Sequence, residues 1–474
     1  MPEYDAVVVG SGPNGLAAAI TLAREGWSVA VYEGKDIPGG GMRTLELTLP
    51  GFHHDLCSAI HPLGLASPFF RSLPLADYGL EWIQPEIQLA HPFDDGFTAV
   101  MYQSVDKTAA ALGADGPAYA GLMRPFAERW QDLLDDILGP FPLPPHHPFL
   151  LGRFGLGALQ PASWLARRLF RQPYARGFFA GMAAHAIIPL ETIATASFGM
   201  VLGILGHAVG WPIPRGGSQS IANAMVAHLE KLGGKIITDT MVNHIDELPT
   251  ATAYLFDVTP RQLVRIAGSR LSESYKHQLG RYRYGPGVFK VDWALRGPIP
   301  WKNPECAHAG TVHLGPTLED IAVSERASAQ GRIPEHPFVL VAQQSLFDDT
   351  RAPADQQTGW AYCHVPNGST VDVTEHIEAQ IERFAPGFRD QIIERHTFNA
   401  AEMEQHNPNY IGGDINGGVQ DLLQLYTRPT LRRSPYTTSA KGIYICSSST
   451  PPGGGVHGMC GYHAAHKVLQ DFRR

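Results

Sequence analysis

The chain opens on an uninterrupted apolar run, Tyr4 to Val9, that reads as a buried strand and breaks at Gly10-Ser11-Gly12-Pro13-Asn14-Gly15. Apolar residues at helical spacing follow from about Leu16 to Glu25, and a second short run, Ser28 to Tyr32, ends at Glu33. A similar grammar returns in the middle of the chain. There Pro214-Arg215-Gly216-Gly217-Ser218 leads into a helix from Ile221 to Leu232, then Gly233-Gly234, a strand from Lys235 to Thr238, the segment Met241 to Ile245, and a strand from Tyr254 to Asp257. It returns a third time near the C-terminus. A strand from Gly442 to Cys446 and a turn from Ser447 to Pro452 precede Gly453-Gly454-Gly455-Val456-His457-Gly458, which reads as the opening of a last helix. Between these blocks, Val288 to Leu295, Phe338 to Leu346 and Trp360 to Val365 read as strands of a separate sheet. From Gly177 to Pro214 the only charged residue is Glu191. Pro189, Pro212, several glycines, His185 and His207 interrupt that stretch, so it reads as buried helix beside a ligand cavity rather than a membrane span.

The first block has the layout of a dinucleotide-binding βαβ unit. Gly10 permits the tight turn, Gly12 lets backbone approach a pyrophosphate, and Gly15 lets helix and strand pack closely. Pro13 and Asn14 complete the turn before the helix, whose N-terminus offers unpaired N–H groups to an anion. Glu33 falls where an acid accepts hydrogen bonds from a ribose. A second glycine cluster follows in Gly39-Gly40-Gly41-Met42-Arg43. Here the sequence resembles glutathione-reductase-like flavoproteins, whose glycine doublet and nearby arginine lie along FAD; the resemblance implies FAD rather than NAD, with Gly40, Gly41 and Arg43 beside it.

The middle block is similar to the returning half of the FAD domain in phytoene-desaturase-like and amine-oxidase-like flavoproteins, which implies that Val242 meets the adenine through its backbone. Asp257 carries no expected role beyond closing the nucleotide-binding sheet. In the flavoproteins that the last block resembles, the final helix points its positive end at the flavin. Gly454, Gly455, Val456 and His457 are therefore expected at the isoalloxazine, a cationic His457 adding to the helix charge. Together the blocks resemble the phytoene-desaturase-like FAD oxidoreductases, a family of carotenoid desaturases, carotenoid isomerases and retinol saturases, over nearly the whole chain. Gly206-His207-x-x-Gly210-Trp211, Asn409 to Asp414 and Arg428-Pro429 are worded as in bacterial members.

The resemblance implies an α/β fold: a Rossmann-like FAD-binding domain of the glutathione-reductase type with an inserted mixed-sheet plus helical substrate domain. Residues 1–68, 212–280 and 400–474 are assigned to the first, and 69–211 and 281–399 to the second. The expected reaction is hydride transfer between an apolar substrate C–H and flavin N5, desaturating an extended or polycyclic lipid-like molecule. Amine oxidation, redox-neutral polyene isomerisation and a non-catalytic scaffold are the alternatives, and Glu191 keeps the amine in play. His207 and Trp211 are the candidate catalytic residues on the substrate side, His457 on the flavin side. No second glycine fingerprint and no CxxC dithiol is present, so electrons leaving the flavin are expected to reach oxygen, a quinone or another diffusible acceptor.

Composition narrows the partners. The 474 residues carry 37 Lys+Arg against 45 Asp+Glu, a net charge of −8 that offers no field for nucleic acid. Five cysteines without CxxC spacing make no disulfide framework, and the acidic start reads as a strand rather than a signal peptide, so a reducing, cytoplasmic setting is expected. Arg167, Arg168, Arg171 and Arg176 lie among aromatic residues and allow peripheral membrane contact, although a solvated helix face explains them as well. The thiols and imidazoles of His54, Cys57 and His61, and of His457, Cys460, His463 and His466, follow no recognised metal pattern, and no metal is expected.

Overall fold

The computed structural model describes residues 2–142 and 144–472. In chain order, the strands of its two main sheets are β1 (Tyr4–Val9), β2 (Val29–Tyr32), β3 (Ile87–Pro92), β4 (Thr98–Met101), β5 (Lys235–Ile237), β6 (Ala251–Phe256), β7 (Gly287–Leu295), β8 (Ala309–Leu314), β9 (Val339–Ala342), β10 (Gln357–Val365), β11 (Ile392–Phe398) and β12 (Ile443–Ile445). The helices that shape the site are α1 (Pro13–Arg24), α2 (Pro173–Ala183), α3 (Ala196–Ala208), α4 (Gln219–Lys231) and α5 (Met459–Asp471).

The first sheet runs β12-β6-β1-β2-β5, with every pair parallel. Parallel strands need crossover connections and covering on both faces, which explains why β1 is apolar throughout its middle. Its Ala6, Val7 and Val8 are fully buried. A Cβ on Gly15 would lie 2.0 Å from the Gly10 carbonyl oxygen, and one on Gly461 1.8 Å from that of Asn14. Helix α1 is thereby seated on the end of β1 and α5 on α1, contacts closed to any larger side chain.

The second sheet runs β11-β7-β10-β9-β8-β3-β4 and is mixed: β8 pairs parallel with β3, and the other pairs are antiparallel. Because side chains alternate along a strand, its two faces have different neighbours. Val312, Val341, Ala361 and Cys363 pack against Ile377, Ile381 and Phe384 of the helix Thr374–Phe384. Leu340, Ala342, Trp360 and Tyr362 share the other face and meet Phe178, Phe179 and Met182 of α2 and Met200 and Ile204 of α3. The architecture is thus a Rossmann-like dinucleotide-binding domain joined to a mixed-sheet and helical domain.

Three sequence expectations shift. Helix α1 begins at Pro13 rather than Leu16, because proline suits the first helical turn, where its missing N–H is no loss. The strand expected over Phe338 to Leu346 is β9 alone; Gln344–Leu346 turn instead. The last helix starts at Met459, since Gly458 adopts a left-handed conformation with φ of 70°. The stretch from Gly177 to Pro214 holds most of α2 and all of α3, and no helix of the described residues is long and apolar enough to cross a membrane.

Candidate active site

One continuous cavity joins the two sheets. At its first end it is lined by Gly10, Gly12, Pro13, Asn14, Glu33, Gly40, Gly41, Arg43 and Val242. This cradle is built locally. The N–H of Gly10 donates to the Tyr32 carbonyl, drawing the glycine turn over the end of β2, and Glu33 Oε2 accepts from Ser11 N at 3.0 Å and Ser11 Oγ at 2.5 Å. Arg43 is buried and donates from Nε to the Gly40 carbonyl at 3.0 Å. Helix α1 starts without a side-chain cap, and Asn14 Oδ1 is buried with no partner. An uncapped helix start, a backbone-lined turn and an unpartnered amide oxygen fit the dinucleotide that the sequence implies.

Asp257, just past β6, also lines the cradle and was given only a structural role from the sequence. Its Oδ2 accepts from Gly15 N at 2.8 Å, and burial together with nearby Glu33 pushes its carboxyl up to about 7. The sequence signal for it was the acid that ends the strand beside β1: Asp257 N donates to the Val9 carbonyl.

The other end of the cavity is a chamber walled by Leu202 of α3, Trp211, Thr311, Leu340, Trp360 and Tyr362, with His185 and Ile187 from the turn after α2. Trp211 is fixed at both of its N–H groups, the indole donating to the Leu202 carbonyl at 3.1 Å and the backbone to Gln88 Oε1. The same cavity is also lined by Cys57 to Gly64, Tyr410, Ile415, Ser447, Gly455 and Val456. Burial pushes the Cys57 thiol up, so it stays protonated.

Other candidates lie elsewhere. His457 does not line the cavity: its ring is buried, and Nδ1 accepts from the Met459 N–H at 3.0 Å. Burial lowers its pKa to about 4, so the expected cationic contact is replaced by a neutral cap on the start of α5. The left-handed Gly458 separates it from the helix that it was expected to begin. Gly454 is also outside the lining and sits against Asn416. His207 is held behind the wall by Tyr119 Oη at 2.8 Å and the Gln103 carbonyl at 3.1 Å, and burial lowers it to about 4. Gly15 packs helix against strand instead of lining the cavity. Glu191, half-exposed, pairs with Arg326 at 2.8 Å away from the chamber. Of the basic and aromatic stretch, Arg167 pairs with Glu319 and Arg168 stacks over an exposed Trp164. Among the described residues no group of three or more His, Cys, Asp or Glu side chains could hold a metal ion.

A parallel sheet with a glycine cradle at its strand ends, opening into a walled chamber, is the layout of a dinucleotide-binding site with room for a second ligand. The comparisons agree. A family model described as an NAD(P)-binding Rossmann-like domain matches residues 8–73. The chain is 25% identical to the rat pyridine nucleotide-disulfide oxidoreductase domain-containing protein 2, covering 100% of this chain and 94% of that protein. It is also 25% identical to the neurosporene-forming phytoene desaturase of Rhodobacter capsulatus, covering 96% and 92%. An oxidoreductase from Methanosarcina mazei has the same fold, with a TM-score of 0.66 at 15% identity over 98% of this chain and 99% of that one. The chain thus carries a dinucleotide-binding Rossmann-like domain and is similar over nearly its whole length to oxidoreductases that include phytoene desaturases.

Proposed function

We propose that the protein is an FAD-dependent dehydrogenase or desaturase that moves a hydride from a C–H bond of an uncharged, apolar, extended or polycyclic molecule to flavin N5. The observation that carries this reading is the cavity, which passes without a break from the glycine cradle into a chamber walled by Leu202, Trp211, Leu340 and Trp360. Its lining carboxylates, Glu33 and Asp257, both belong to the cradle. A protonated amine buried in the chamber would need a counter-charge there, and Glu191 is already paired elsewhere. The uncharged substrate is therefore favoured over the amine.

The residues of the cradle are assigned to the cofactor: Gly10, Gly12, Pro13 and Asn14 to the pyrophosphate, Glu33 to the ribose, Val242 to the adenine, and Gly40, Gly41, Arg43, Gly455 and Val456 along the remainder. Bound FAD supplies the hydride acceptor. The chain's own task is to place the carbon, exclude water and keep the surroundings fixed. The rigidly held Trp211 and the side chain of Leu202 suit the first two, and the buried Arg43 places a fixed positive charge beside the cofactor.

Leu202 and Leu205 separate a cavity wall from plain core. Leu202 lines the chamber, whereas Leu205 is fully buried in the packing between domains. Leu202→Asp is expected to keep the fold and its FAD while turnover falls about a hundredfold, because an unpaired charge in the chamber costs several kcal/mol. Leu205→Asp should instead fail to fold. Steady-state rates and FAD content decide: full turnover in Leu202→Asp would refute an apolar substrate chamber.

A further inference from the structure

Two polar side chains in the chamber wall have no protein partner. Thr311 of β8 is 4% exposed and lines the cavity, yet its Oγ1 makes no hydrogen bond among the described residues. His185 lines the cavity and is partly accessible, although the segment around it is buried. Its Nε2 lies 3.2 Å from Nε2 of His313, which follows Thr311 by two residues on the same face of β8.

The neighbours of this pair decide which way its proton points. Burial keeps both rings neutral, lowering His185 to about 3 and His313 well below its ordinary value. One Nε2 must therefore donate and the other accept. If His185 donated, the proton of His313 would sit on Nδ1, which is buried without a partner near Gly181 and His91 Nδ1. His91 gives it no relief: the two Nδ1 atoms are not hydrogen-bonded, and His91 Nε2 is engaged with the Pro316 carbonyl at 3.1 Å. The opposite arrangement leaves a bare lone pair on His313 and moves the free N–H to His185, whose ring is partly accessible and lines the cavity. A buried N–H without an acceptor is rarer and costlier than an acceptor without a donor. His313 Nε2–H therefore donates to His185 Nε2, and His185 carries its own proton on Nδ1, for which no acceptor exists among the described residues.

We propose that His185 and Thr311 form a recognition site for a hydrogen-bond-accepting oxygen of the substrate, a carbonyl, ether or hydroxyl, with His313 as the positioning residue that fixes the His185 tautomer. This rests on the apolar-chamber reading and deepens it: the substrate is an apolar molecule that carries an oxygen function, not a pure hydrocarbon. A donor pair in an otherwise apolar wall favours the molecule that satisfies it and penalises the analogue that leaves it unpaired.

The test uses the FAD-loaded protein and a matched pair of polycyclic probes, the ketone 2-decalone and the hydrocarbon trans-decalin. Affinities are read from the change in the bound-flavin spectrum. His185→Leu should lower the ketone-to-hydrocarbon affinity ratio about tenfold, the scale of one buried hydrogen bond, without changing FAD content. His313→Leu should lower it as well. His313→Gln, whose amide N–H can donate to His185, should restore part of it, which a merely structural role would not. Thr311→Val is isosteric and provides a second reading if His185→Leu does not fold; it should lower the ratio about threefold. An unchanged ratio in folded, FAD-loaded variants would overturn the recognition site alone. If neither probe perturbs the wild-type flavin, the apolar-chamber reading falls, and the site with it.

Discussion

Gly15→Ala is expected to leave a protein that retains no FAD and has lost several kcal/mol of stability. The added Cβ would stand 2.0 Å from the Gly10 carbonyl oxygen and 3.1 Å from Asp257 Oδ2. Overpacking a core usually costs about 1–3 kcal/mol when side chains can adjust. Here the obstacle is backbone at the tightest bend of the cradle, so the cost is expected at or above the top of that range, ~3 kcal/mol. The start of α1 would have to lift off β1, and the Asn14 carbonyl against which Gly461 of α5 is seated would move with it. The N–H groups aimed at the pyrophosphate would be displaced together. FAD affinity should fall by about a hundredfold or more, measured as flavin per protein after gel filtration, with a matching drop in Tm. Wild-type FAD content in this variant would show that the turn is not the cradle.

Arg351→Leu is expected to destabilise the fold by about 3–5 kcal/mol, the usual result of stranding one half of a buried ion pair. Arg351 and Asp55 are both buried and meet at 2.6 Å. Arg351 Nε also donates to the His53 carbonyl, while Asp55 accepts from Ser218 N at 2.8 Å and Thr44 Oγ1 at 2.7 Å. Burial alone would push the Asp55 carboxyl up, but the Arg351 charge and these hydrogen bonds outweigh it and hold the group below its ordinary value. In the wild type this contribution is present above the unfolded-state pKa and is lost as pH falls through the lowered folded value. Without Arg351 the shift reverses. The penalty is then full above the raised folded pKa and shrinks as pH falls toward the ordinary carboxylate range. Urea unfolding at neutral and mildly acidic pH checks both size and sign; a deficit that grows on acidification would contradict the argument. Because the Trp360 indole donates to the Asp55 carbonyl, this pair also supports the chamber wall, and probe affinity should weaken in the same variant.

The cradle was legible in the sequence because its physics is local. A buried strand, a glycine turn and a helix start lie within consecutive residues, and Glu33 follows at the end of the next strand. The second sheet was legible only in part. The long apolar β7 and β10 stood out, but β3 and β8 carry the buried polar residues Gln88, His91, Thr311 and His313, of which Gln88, His91 and His313 meet partners from distant segments and Thr311 meets none among the described residues. Strand β11, an edge strand containing Glu394, Arg395 and His396, gave no apolar run. The capping role of His457 is not legible in the sequence because it depends on one left-handed residue, Gly458, which ends the turn before α5 and leaves the imidazole capping the helix from within the core. His185 registered only as an interruption of an apolar stretch, since its partner His313 lies 128 residues away. Asp257 was passed over because a strand-ending acid is common, and its insertion into the glycine turn exists only once β6 pairs with β1.

Anaerobic mixing of the FAD-loaded protein with a panel of uncharged apolar compounds, 2-decalone among them, and of primary amines tests the central claim most directly. At least one uncharged compound should bleach the oxidised flavin and yield one equivalent of product with a new double bond per flavin reduced. A flavin left oxidised by every uncharged compound but bleached by an amine would contradict the account.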